Sequence, residues 1–204
     1  MNQVPNQRRS RKVSAPEEYG QVTAPDTVRI NRLLTGSIEQ IWAYFTESDK
    51  RGKWLAPGKM ELRVGGQVEL NFRHADLSAE KKTPARFKQY EEGGTIRGRI
   101  LSCDPPRLLS FTWGEESGKE SEVTFELTPH GKNALLMVTH RRLGDRGTML
   151  SVAAGWHTHL GILIDHFDGV EPRPFWTTHA KLVDEYEKRI PAAGAAAKAK
   201  SGKR

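Results

Sequence analysis

The chain has 204 residues, 36% of them hydrophobic, and a formal net charge of +7, enough for one folded domain with its own core. The charge sits largely at the ends: 1–26 holds four basic residues (Arg8, Arg9, Arg11, Lys12) and three acidic ones, 191–204 holds four basic and none acidic, and the body keeps 24 against 22. A nearly neutral body argues against nucleic-acid binding, and the single cysteine, Cys103, excludes an intrachain disulfide and a cysteine-built zinc site.

Residues 1–26 are polar, proline-punctuated and without periodicity, which predicts a disordered segment ahead of the domain. No apolar run follows Arg8 and Arg9, so a secretory leader is not expected. No later segment approaches the roughly 18 apolar residues of a membrane span, and the sequence reads as cytoplasmic. The domain is expected over 27–190. A first strand at 27–34 is followed by a capping-box spacing, Ser37 to Gln40, and by the stripe Ile38, Ile41, Trp42 and Phe45 of a short helix. A second short helix is expected at 49–54.

Residues 67–74 alternate Val68, Leu70 and Phe72 with Glu69, Asn71 and Arg73, a strand with one dry face. The next twenty residues do not fit a sheet. Thr83 as N-cap, Pro84 at the first position and Gly93 as stop predict a mobile helical insert, either a lid or a solvated excursion with one helical turn. Strands are then expected at 95–101, 108–113, 120–128 and 134–142, with a hairpin turn at 115–118. Residues 148–169 form a long helix on which Met149, Val152, Trp156, Leu160, Leu163 and Phe167 fall within about 40° of one line. A last helix follows Pro174, with a stripe through Trp176, Ala180, Val183, Tyr186 and Ile190, packing across the outside of the domain. The tail, 191–204, is expected to be disordered.

This order predicts an α+β helix-grip: a curved antiparallel sheet wrapped around a long C-terminal helix, with two short helices near the start and one extra terminal helix. Such a grip often encloses a pocket. Linear catalytic motifs are absent, so no catalytic residue is assigned. His159 borders the dry face of the long helix, whereas His166 lies roughly 10 Å further along the axis. These two cannot chelate one metal, and even with His140 as a third ligand the pattern does not support a metal site; no cofactor is expected. Phe111, Trp113 and Trp156 are expected to face inward, as core or as cavity walls, with His140 and His159 as polar pocket residues. Gly155 and Gly161 each cost the helix about 1 kcal/mol relative to alanine, which calls for close contact or room for a ligand. Arg141 and Arg142 read as a solvated strand end.

The stretches IEQIWAYFTESDKRGKWL, VGGQVEL, IRGRILSCDPPRLLSFTW, SEVTFELTPHGKNALLMVTHRR and AAGWHTHLGILIDHF carry a resemblance. Taken together, the chain resembles the START-like, or SRPBCC, helix-grip superfamily. Within it, the chain is similar to proteins like the C-terminal domain of the activator of heat-shock protein 90 ATPase. The resemblance implies a sheet around a long helix, a cavity between them, and a small hydrophobic or amphipathic ligand. It implies two alternatives as well: a cofactor-free cyclase or related enzyme using the same cavity, and a stress protein with a chaperone as partner. The short segment before the fold is not expected to replace the separate domain by which the eukaryotic activator engages its chaperone.

Overall fold

Period-two alternation of apolar side chains builds the sheet strand by strand. The computed structural model describes residues 18–114 and 120–190, so the expectations for 1–17, for the turn at 115–118 and for the tail lie outside the described residues. The strands are β1 (Gln21–Ala24), β2 (Thr27–Thr35), β3 (Gln67–Phe72), β4 (Gly94–Asp104), β5 (Leu108–Trp113), β6 (Ser121–His130) and β7 (Asn133–Arg141). They form one curved antiparallel sheet in the order β1-β2-β7-β6-β5-β4-β3. Its inner face carries Val28, Ile30 and Leu34 from β2, Val123, Phe125 and Leu127 from β6, and Leu136 and Val138 from β7, all buried. Irregular pairing between Ile100 and Ser102 on β4 adds local bend.

The sheet starts earlier than the sequence pattern indicates, because β1 lies inside the stretch expected to be disordered. Gln21, Val22 and Thr23 are exposed, so no dry face marks this strand; backbone pairing along β2 holds it. Just before it, Tyr19 packs edge-on against His157 and Tyr186, and the Gly20 N–H donates to the Tyr186 hydroxyl at 2.7 Å.

Helix α1 (Ile38–Thr46) opens with the expected capping box, Gln40 N–H to Ser37 Oγ and Ser37 N–H to Gln40 Oε1. Helix α2 is a single turn (Ser48–Arg51), shorter than expected. Its last residue explains why the chain turns there. The Arg51 guanidinium is buried and donates to the carbonyls of Phe45, Thr46, Ala56 and Gly58, fixing the corner that carries Trp54 and Leu55. Burial lowers its pKa to about 10, which still leaves it a cation at neutral pH.

The expected helical insert consists of two 3-10 turns, His74–Asp76 and Ala85–Tyr90. No side chain caps the second turn, and Phe87 departs from helical angles at φ −118°. Tertiary contact wins over local helix signal here: buried Phe87 stacks on Trp176 at 5.4 Å. The insert docks on α4 (Phe175–Arg189). Pro174 offers α4 no side-chain cap, and the insert supplies the missing acceptors: Ser78 Oγ takes the Phe175 N–H and the Glu80 carboxylate takes the N–H and hydroxyl of Thr177.

Helix α3 (Arg146–Asp168) runs from a cap at Asp145 to Gly169, which adopts the left-handed conformation at φ 66°. Trp156, Leu160 and Leu163 of the expected stripe are buried, while Met149, Val152 and Phe167 are half-buried. The opposite side is buried too, at His157, Thr158 and Ile162, because α4 lies across it. Gly161 has its reason there. A Cβ at this position would stand 2.4 Å from Arg173 Nη1, so glycine lets the guanidinium lie on the helix while it pairs with Asp165 at 2.7 Å. Among the described residues no helix is long and apolar enough to cross a membrane.

Candidate functional site

A cavity of about 360 Å³ opens at the end of the sheet where β5 and β7 finish and β4 begins. Trp113 from β5, His140 from β7, and Trp156, Gly155 and His159 from α3 form the inner walls, and the start of α4 with the insert forms the roof. The rings meet at steep angles: Trp113 to Trp156 at 5.3 Å and 66°, Phe125 to Trp156 at 5.5 Å and 86°. Edge-to-face packing of this kind is a favoured aromatic geometry and fixes the rings in place. Gly155 faces open space, since a Cβ there would meet nothing within 4 Å.

Four of the five residues picked from the sequence, Trp113, His140, Trp156 and His159, line this cavity. Phe111 does not. It lies two residues deeper on β5, 1% exposed, with its ring 6.2 Å from Trp113 and 6.0 Å from Phe125, and it fills core. Sequence reasoning missed His74, Phe175, Trp176 and His179, which also face the cavity. His74 sits in the irregular insert, where no periodicity could place it. His179 follows Trp176 by one helical turn, a spacing that could have found it. Arg141 and Arg142 both pair with Glu122, at 2.5 and 2.8 Å, and remain exposed.

The polar groups of the cavity are four imidazoles, the indole N–H groups of Trp113, Trp156 and Trp176, and the hydroxyls of Tyr90, Thr95 and Ser151. His140 Nδ1 accepts from the Trp156 indole N–H at 3.0 Å, so the ring proton sits on Nε2 and donates to Ser121 Oγ at 2.8 Å. His159 Nδ1–H donates to the Trp54 carbonyl at 2.7 Å. Burial pushes the pKa of both down to about 3. His74 and His179 are pushed down to about 4, chiefly by burial. All four are therefore neutral at pH 7, and none of the described lining residues is Asp, Glu, Lys or Arg. Among the described residues, no group of three or more His, Cys, Asp or Glu could hold a metal ion.

Comparison with known proteins agrees with this architecture. The profile of the family described as Activator of Hsp90 ATPase homolog 1-like protein matches residues 35–168. The solution structure of the protein encoded by gene BPP1335 from Bordetella parapertussis is similar, with 43% identity and a TM-score of 0.73 over 87% of this chain and 93% of that one. CalU16 from Micromonospora echinospora shares the fold at 22% identity and a TM-score of 0.62, over 81% of this chain and 89% of that one. DynU16, a protein of the dynemicin biosynthetic locus, shares it at 18% identity and a TM-score of 0.57, over 72% of this chain and 49% of that one. No curated protein matches the sequence. A helix-grip with this sequence profile places the chain in the family of Activator of Hsp90 ATPase homolog 1-like proteins, within the START-like SRPBCC superfamily.

Proposed function

We propose that this protein binds a small hydrophobic or amphipathic molecule in the cavity between α3 and the sheet, as a cytoplasmic binding protein rather than an enzyme. The observation that carries the reading is the roughly 360 Å³ of space walled by Trp113, Trp156 and Phe175 in an otherwise packed interior. This falls in the size range of small-molecule sites, and apolar walls contribute about 25 cal/mol per Å² of ligand surface buried. DynU16, which shares the fold, is a putative protein of the dynemicin biosynthetic locus, a setting that fits a protein holding a small molecule.

The enzyme alternative asks His140 or His159 to act as general acid or base. A general base is most effective with its pKa near the working pH, and both imidazoles are pushed to about 3 and committed to neighbouring groups. Their role in this reading is to hold the walls. The reading is tested with N-phenyl-1-naphthylamine, an uncharged dye that fluoresces in apolar surroundings. The wild-type protein enhances its emission. Gly155→Phe, which projects a ring into the open space, loses that enhancement while keeping its circular dichroism; a folded Gly155→Phe protein with full dye binding would overturn the proposal.

A further inference from the structure

The described lining of the cavity carries no charged side chain, and several of its hydrogen-bonding atoms already have partners. His140 is satisfied at both nitrogens, His159 Nδ1 donates to the Trp54 carbonyl, and His179 Nδ1 lies 3.5 Å from Thr158 Oγ1. Two atoms of its lining residues stand apart: His74 Nδ1 and Trp176 Nε1 are buried and have no hydrogen-bond partner. Each such group costs roughly 1–3 kcal/mol while it stays unsatisfied. The two rings are neighbours, with centroids 5.1 Å apart at 61°, and Phe175 holds His74 from the other side at 4.4 Å.

Resting on the binding function above, we propose that the cavity selects an uncharged, largely apolar molecule carrying one hydroxyl or carbonyl oxygen, and that His74 and Trp176 bind this oxygen. Because the two rings are in contact, one oxygen seated between them is the smallest group that can serve both nitrogens. Indole N–H is a donor only, while a neutral imidazole nitrogen donates or accepts according to its tautomer. A hydroxyl accepts from Trp176 and donates to His74; a carbonyl accepts from both. Either satisfies the pair. A carboxylate or an ammonium group finds no counter-charge on the walls and forfeits its hydration, which costs far more than a neutral oxygen does. Both atoms are buried, so this binding requires the side chains around them to give way and admit the oxygen.

The experiment is displacement of N-phenyl-1-naphthylamine at pH 7 by naphthalene, 1-naphthol and 1-naphthoate. The expected order is 1-naphthol tighter than naphthalene by about fivefold to tenfold, the value of one to two net hydrogen bonds, with 1-naphthoate weakest. His74→Phe brings 1-naphthol to the level of naphthalene and leaves naphthalene unchanged. His74→Asn, which keeps a polar atom near the Nδ1 position, retains part of the preference. Trp176→Phe gives an independent reading should His74→Phe fail to fold. If the wild-type protein fails to bind the dye, the binding function itself falls and this proposal with it; if the dye binds but neither naphthalene nor 1-naphthol displaces it, this proposal alone is overturned. If naphthalene binds but 1-naphthol gains nothing, if 1-naphthoate matches 1-naphthol, or if the preference survives in both His74→Phe and Trp176→Phe, the oxygen site is overturned while the cavity function stands.

Discussion

Mild acid should unfold this protein through its cavity histidines. His74, His140, His159 and His179 have pKa values lowered from 6.5 to about 4, 3, 3 and 4 in the folded state. A depressed folded value means that the unfolded chain binds protons first as pH falls. The stability these groups contribute is thus complete above pH 6.5 and is lost as pH drops towards 3 to 4. At pH 5 the folded imidazoles are still mostly neutral and the unfolded ones are charged, which costs about 2 kcal/mol per group relative to pH 7. The total depends only on the folded values lying well below 5, so the four sum to about 7 to 8 kcal/mol. A domain of this size is typically stable by 5–15 kcal/mol, so the loss is comparable with the whole. Urea titrations followed by tryptophan fluorescence at pH 7, 6 and 5 should show that collapse, and His159→Gln should remove about one proton from the slope. A change under about 2 kcal/mol between pH 7 and 5, or imidazole C–H resonances of these four residues titrating near 6.5, would refute the reasoning.

Arg51→Met leaves the carbonyls of Phe45, Thr46, Ala56 and Gly58 without their shared donor, and should cost at least about 3 kcal/mol in chemical denaturation. Asp165→Asn removes the carboxylate that takes the Arg173 guanidinium and its backbone N–H, with an expected loss of about 2 to 3 kcal/mol by the same measurement. Gly155→Ala should raise stability by up to about 1 kcal/mol, because alanine favours the helix and its methyl meets open space; a loss of stability would show that the space is occupied. Trp156→Ala deletes a cavity wall together with the hydrogen bond to His140, and should weaken N-phenyl-1-naphthylamine binding by tenfold or more in a fluorescence titration.

Periodic elements were legible in the sequence because their signal is carried by neighbouring residues. The limits of β5 were expected as they are found, and the capping box of α1 was read from two residues. Elements ordered by distant contacts were not legible. Strand β1 has no dry face, the insert is bent by the docking of Phe87 on Trp176, and both sides of α3 are buried because α4 covers one of them. The same division runs through the cavity. Residues on strands and on the long helix could be aimed inward from their register, as Trp113, His140, Trp156 and His159 were. Phe111 shares that register, and register alone does not tell how deep in the sheet a side chain stands. His74 and Trp176 enter from the insert and from a helix whose placement depends on that insert.

The borrowed capping of α4 makes two remote parts of the chain behave as one mechanical piece. Ser78 and Glu80 terminate a helix that begins about a hundred residues later in the chain, and Arg86 grips the same helix further along at Asp184. Shortening the chain ahead of Phe175 would strip the roof of its anchorage and leave the hollow gaping, even though none of the sheet would be touched. Truncations that remove α4 are accordingly edits to the cavity's roof.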